Sequence, residues 1–170
     1  MTSEPAPETF AFADDGRFPN SALPLLLYRG AVPADPAAIE RVFAAHGWSG
    51  GWRDGIFPFH HFHSTAHEVL GIAAGQAEVC FGGPHGRVVA VQAGDVVVIP
   101  AGVAHCRRSA SSDLLVVGAY PGGASYDTRR GEPGEHEDVV RNLADVAAPE
   151  QDPVYGREGP LLRLWAGIDA

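Results

Sequence analysis

Lysine is absent from the 170-residue sequence, in which all twelve basic residues are arginines. Schiff-base chemistry and lysine general-base catalysis are therefore excluded. Cysteine is scarce too. Cys80 and Cys106 are the only two, too few for a disulfide scaffold and not in a Cys-x-x-Cys pair, so free, partly buried thiols are expected. Long apolar runs are missing, since no stretch approaches the roughly 18–20 apolar residues of a membrane span. The opening Met-Thr-Ser-Glu-Pro-Ala-Pro-Glu has neither the basic nor the apolar segment of a secretory signal, and a cytoplasmic protein without a membrane partner is the expectation. Nor is there a basic stripe. The net charge is −9 and acids are interleaved with the arginines, so no nucleic-acid partner is expected.

What is present is an all-β texture. Between Trp52 and Tyr120, β-type runs alternate with Gly and Pro turns: Ile56 to His63, Glu68 to Ala73, Ala77 to Phe81, Val88 to Val91, Val96 to Ile99 and Leu114 to Tyr120. No helical pattern falls between them, which favours a sandwich or barrel over a βαβ array. Flanking this core, Thr9 to Ala13 alternates and Leu23 to Tyr28 is apolar. Asp35-Pro36 opens a helix with Ile39, Val42 and Phe43 at helical spacing, ended by Gly47 and the Gly50-Gly51 pair. A second helix is expected near Glu137 to Val146, and Leu161 to Trp165 is apolar enough to pack back on the barrel. The expected division is a flexible terminus over 1–8, one domain over 9–165 with its core barrel at about 52–120, and a tail over 166–170.

The histidines carry the chemistry. His61 and His63 lie two apart on an expected strand, so both rings leave one face. Glu68 follows after enough chain to turn into the next strand, and His105 comes just past the Pro100-Ala101-Gly102 turn. Three neutral imidazoles and one carboxylate suit one divalent transition ion of the Fe, Mn, Ni, Co or Zn group, with coordination positions left for a ligand. By strand parity His60 faces away. Phe59 shares the parity of His61 and His63 and is expected to point inward, where it and Tyr120 are candidate substrate-binding residues. Trp52 and Arg53 are rim candidates by position alone. No catalytic residue is assigned beyond the metal ligands.

These residues resemble the two motifs of the cupin superfamily. Gly55, His61, His63, Glu68 and Gly75 meet the first, G-x5-H-x-H-x3,4-E-x6-G, and Gly94, Pro100, Gly102 and His105 meet the second, G-x5-P-x-G-x2-H-x3-N, with Ser109 where Asn is usual. The motif spacing to Gly75 selects Glu68 over the adjacent His67 as fourth ligand. From about Thr9 to Trp165, including Pro24 to Gly30, His60 to Gly71, Pro100 to Cys106 and Val116 to Pro121, the chain is similar to the uncharacterised bacterial YjlB-like cupins. The resemblance implies a double-stranded β-helix, or jelly-roll barrel, with short flanking helices. Together with the apolar flanks Leu25 to Leu27 and Leu161 to Trp165 it implies a homodimer. A metal-dependent small-molecule enzyme, of oxygenase or oxidase type before isomerase or lyase, is the expected function. A non-catalytic protein that binds a small molecule or metal is the alternative.

Overall fold

The structure, a computed structural model, describes residues 6–168. Two antiparallel sheets form it. The larger contains β1 (Glu8–Phe12), β2 (Ser21–Tyr28), β3 (Trp48–Asp54), β4 (Glu68–Ala74), β7 (Val96–Ile99) and β9 (Leu115–Pro121) in the order β1-β2-β7-β4-β9-β3. The smaller contains β5 (Gln76–Phe81), β6 (Arg87–Gln92) and β8 (His105–Ala110) in the order β6-β5-β8. Three short helices, α1 (Pro36–Ala45), α2 (His136–Ala144) and α3 (Pro160–Trp165), flank the sheets.

Alternation within each strand divides the core. Leu25, Leu27, Leu70, Ile72, Val97 and Ile99 of the large sheet pack with Val79, Phe81, Val89 and Val91 of the small one. The intervening residues Leu26, Val69, Val96, Val98 and Val117 lie in a second cluster with Ile39 and Phe43 of α1 and Leu161 and Trp165 of α3. Both faces of the large sheet are thus covered, which is why β2, β4 and β7 read as continuous apolar runs. Asp35 caps α1 by accepting from the Ala38 N–H at 2.8 Å, and Pro36 fits the first turn. The helix sits directly on β4 at Gly71, where an added Cβ would lie 2.6 Å from the Ile39 side chain.

Three local expectations are corrected. Ile56 to His63 is not a strand, and only His61 and Phe62 form isolated bridges, to His105 and Arg129. Pro58 removes a ladder donor there. The Gly50-Gly51 pair does not end a segment but sits inside β3, at a register shift between Ser49 and Trp52. A Cβ on Gly51 would lie 2.0 Å from the Gly118 carbonyl oxygen, so glycine permits the close strand approach. Thirdly, β8 is a strand although its residues Arg107 to Ala110 are polar or small, because its outer half is solvent-facing.

Residues 1–5 and 169–170 of the expected terminal segments lie outside the described residues, while Glu8 already pairs with Leu27 in the sheet. The apolar flanks Leu25 to Leu27 and Leu161 to Trp165 are directed into the chain's own core, with Trp165 Nε1 donating to the Pro24 carbonyl at 2.9 Å. Within Leu161 to Trp165, Leu162 and Leu164 remain half-buried and Arg163 exposed. Among the described residues no helix is long and apolar enough to cross a membrane.

Candidate metal centre

The sheets bring four side chains from distant positions to one end of the barrel. Glu68 is the first residue of β4 and His105 the first of β8. His61 is tied to His105 by reciprocal backbone bonds of 3.1 and 2.9 Å. The Pro100-Ala101-Gly102 turn delivers β8 to this point; Gly102 has φ +95, and its N–H donates to the His63 carbonyl at 2.7 Å. Candidate ligand nitrogens of His61, His63 and His105 lie within 4.8 Å of one another, and all three residues are buried.

Hydrogen bonding sets the tautomers. His61 Nδ1 contacts the Phe59 carbonyl at 2.9 Å, His63 Nδ1 the Asp127 carbonyl at 2.5 Å, and His105 Nδ1 the Val103 carbonyl at 3.2 Å. A carbonyl oxygen only accepts, so each Nδ1 carries a proton and each neutral ring presents an Nε2 lone pair. Two of those lone pairs meet a carboxylate: Glu68 Oε2 is 3.2 Å from His63 Nε2, and Oε1 is 3.3 Å from His105 Nε2. Oε1 is buried and has no hydrogen-bond partner, so its approach to His105 is a contact between two acceptors. Such an arrangement is stable only around a cation, either a proton on one imidazole or a metal ion. The three clustered imidazole nitrogens, with a carboxylate beside two of them, are donors of the kind that a divalent ion of the Fe, Mn, Ni, Co or Zn group takes.

The electrostatics follow from this crowding. Burial lowers the His61 pKa to about 3, helped by neighbouring His105. Burial acts the same way on His63, but the Glu68 carboxylate outweighs it and raises the His63 pKa above its ordinary value. Burial alone would raise Glu68, yet contact with His105 and His63 holds it below the usual carboxylate range. Tyr120 donates its hydroxyl proton to Glu68 Oε2 at 2.6 Å and accepts from Trp52 Nε1 at 2.8 Å. Burial and the Glu68 charge push its pKa well above the ordinary tyrosine value, so the proton stays on the phenol. The Trp52 ring lies over Gly118, where a Cβ would come within 2.4 Å of the indole.

A pocket of about 440 Å³ opens beside these groups, with Trp52, Ile56, Phe57, Leu70, Arg107 and Tyr126 among its walls. Tyr120 therefore lies where the sequence places it, although its hydroxyl is engaged by Glu68. Phe59 is absent from this pocket and lines a separate groove, since the 56–60 segment does not keep strand parity; Phe57 stands at the pocket and stacks on Phe59 at 4.9 Å. His67 faces the other way, with its Nδ1 accepting from the Ala101 N–H at 2.9 Å and its ring 4.8 Å from Trp165. Ser109, in place of the motif's Asn, pairs across the sheet with Glu78. Both cysteines are free and buried.

Sequence reasoning missed Asp127. Its carbonyl holds His63, and its carboxylate accepts from the Ser64 N–H at 2.6 Å and the Ser64 hydroxyl at 2.5 Å. Arg129 bridges backbone to backbone with Phe62. The 127–129 loop thus fastens the histidine segment from a position some 60 residues away, and no local pattern signals it.

A nine-stranded pair of antiparallel sheets with this histidine cluster at one end is the architecture of a cupin, and the family model for the cupin domain matches residues 53–117. Over 159 residues the chain is 45% identical to the "Uncharacterized protein YjlB" of Bacillus subtilis (strain 168), covering 93% of this chain and 96% of that protein. The chain belongs to that family of cupins. Among solved structures it is similar to an acireductone dioxygenase from Bacillus anthracis with a cadmium ion in its active centre, at 20% identity and TM-score 0.37 over 48% of this chain and 56% of that one. It is also similar to a single-residue variant of the oxalate decarboxylase of Bacillus subtilis, at 16% identity and TM-score 0.38 over 67% of this chain and 29% of that one. The chain thus spans little more than half of the first solved chain and under a third of the second.

Tyr120 acts on the site through Glu68, which makes it a positioning residue. Tyr120→Phe keeps the ring and its stacking on Tyr126 at 4.2 Å but frees Glu68 to rotate. Loss of such an outer partner is expected to weaken metal affinity roughly 10–100-fold, as read by competition with a chromogenic chelator. Unchanged affinity would show that Glu68 is held without the phenol.

Proposed function

We propose that this cupin is a metal-dependent small-molecule enzyme, of oxygenase or oxidase type, in which His61, His63, His105 and Glu68 hold one divalent transition ion. The observation that carries the reading is the clustering of three tautomer-fixed imidazoles, two of them against a buried carboxylate with an unpaired oxygen, in the wall of a pocket. When bound, such an ion supplies Lewis acidity and, for Fe or Mn, redox chemistry with dioxygen. The chain's own residues do the rest. Trp52 and Tyr120 fix Glu68, the carbonyls of Phe59, Val103 and Asp127 fix the rings, and Ile56, Phe57 and Leu70 give the pocket apolar walls that exclude water from a bound substrate.

A second reading, a non-catalytic binder, is supported by one feature of the pocket. Besides the ligand set and the phenols, Asp54 is its remaining candidate base, and Asp54 is exposed at the rim. Elemental analysis of protein purified without chelators or a His-tag, followed by oxygen-electrode assays with chelating carbonyl and carboxylate compounds, separates the two. Oxygen uptake that depends on the retained metal is the expected result. A loaded protein that binds such compounds without consuming oxygen would overturn the oxygenase reading and leave the binder.

A further inference from the structure

A groove of about 580 Å³ next to the metal pocket is lined by Arg17, Arg107, Arg108 and Arg130, together with His60 and a single acid, Glu132. In a chain of net charge −9 this concentration of one sign is exceptional. Among the described residues none of these four arginines forms an ion pair, unlike Arg129 beside them, which pairs with Asp127 and Glu135. Four positive charges facing one groove with a single acid, Glu132, among its walls leave a net positive potential there, which an anion relieves.

Two of these side chains are anchored. Arg17 Nε donates to the Gly131 carbonyl at 2.8 Å while its guanidinium lies 5.2 Å from the Phe18 ring centroid. The Arg130 guanidinium lies over Phe59 at 3.9 Å, a cation–π contact that orients its plane. Arg107 and Arg108 are consecutive on β8, yet both line the groove, because the register with β5 slips between Glu78 and Val79. His60 adds a buried Nδ1 with no hydrogen-bond partner. The planar guanidinium forks of Arg17 and Arg130, fixed in this way, match the oxygens of a phosphate or carboxylate.

We propose that this groove binds an oxyanion group, phosphate or carboxylate, of a small molecule. Pro58 and Arg107 line both the groove and the metal pocket. On β8, Arg107 is two residues beyond His105, a rise of roughly 7 Å. Taken together with the metal-centre reading above, on which this extension rests, the substrate is a compound with one end at the metal and an anionic group at the arginines. The size suits a small ligand, for which pockets run roughly 300–1,000 Å³, and the acidic remainder of the chain opposes a nucleic-acid strand.

The test is isothermal titration of the full chain, as purified and after chelator treatment, with inorganic phosphate and separately with succinate at low ionic strength. At least one anion is expected to bind in both preparations, and the stronger names the source of the oxyanion. The exposed substitutions Arg108→Gln and Arg130→Gln are each expected to weaken binding about tenfold without changing the melting temperature of the ligand-free protein. Binding to neither anion at millimolar concentration, binding unaltered by both substitutions, or tighter binding of a single-stranded oligonucleotide than of either anion would overturn the proposal. Anion binding by a protein that retains no metal would keep the groove and remove the metal-enzyme reading; the converse result would do the opposite.

Discussion

Glu68→Gln is expected to reduce metal retention by more than about 100-fold, while His67→Gln changes it by less than about threefold, a ranking set against the 10–100-fold effect of mere outer partners. The two residues are adjacent, and adjacent strand residues face opposite sides of the sheet. The structure sends Glu68 toward His63 and His105 at 3.2 and 3.3 Å. It sends His67 outward, where it accepts from Ala101 and packs on Trp165. Glutamine keeps the shape of Glu68 but removes the charge that offsets half of a divalent ion's own in a low-dielectric site, and its amide can turn N–H donors toward the cation. Metal content after dialysis, measured on both variants, checks the ranking. The reverse order, or an X-ray absorption spectrum best fitted by four imidazoles, would overturn the assignment.

The parts of this site that were legible in the sequence are those written in local spacing. His61, His63 and Glu68 lie within eight positions, and His105 follows a Pro-Gly turn, so strand period and turn chemistry suffice to group them. Strands buried on both faces, such as Val96–Ile99, were legible because burial makes them uniformly apolar. What escaped depends on the tertiary path. Asp127, Tyr126 and Arg107 reach the site only because the 126–129 loop folds back on Phe62 and because β8 runs beside β5. Two strands were missed for opposite reasons, β3 because its glycines mimic a turn and β8 because its outer half is polar. The expected inward Phe59 failed for a third reason, since parity arguments hold only where a ladder keeps its register, and Pro58 breaks it.

Metal should raise the melting temperature, and the increment should grow with pH. The ligands come from separate elements and converge only in the fold, so binding energy adds to folding energy. Free metal at about 100 times its dissociation constant contributes about 2.7 kcal/mol, which for a chain of this size is a rise of roughly 5–10 °C. The pH dependence comes from competition for one position. In the metal-free fold Glu68 raises the His63 pKa, so an imidazolium on His63 stabilises that fold below the unfolded histidine value of about 6.5, and this contribution is lost as pH rises through the higher folded value. His61 runs the other way. Its folded pKa of about 3 means that its neutral form favours the fold above pH ~6.5 and that this stability is lost as pH falls toward the folded value. It therefore stays a lone-pair donor while His63 is already protonated. Metal has to displace the His63 proton, and affinity should fall about tenfold per pH unit below the His63 value. Differential scanning calorimetry of loaded and chelated protein should give a large difference at about pH 8 that shrinks toward about pH 5.5. Equal melting temperatures at the alkaline end would mean the four side chains hold no metal, and a difference independent of pH would mean that His63 carries no competing proton.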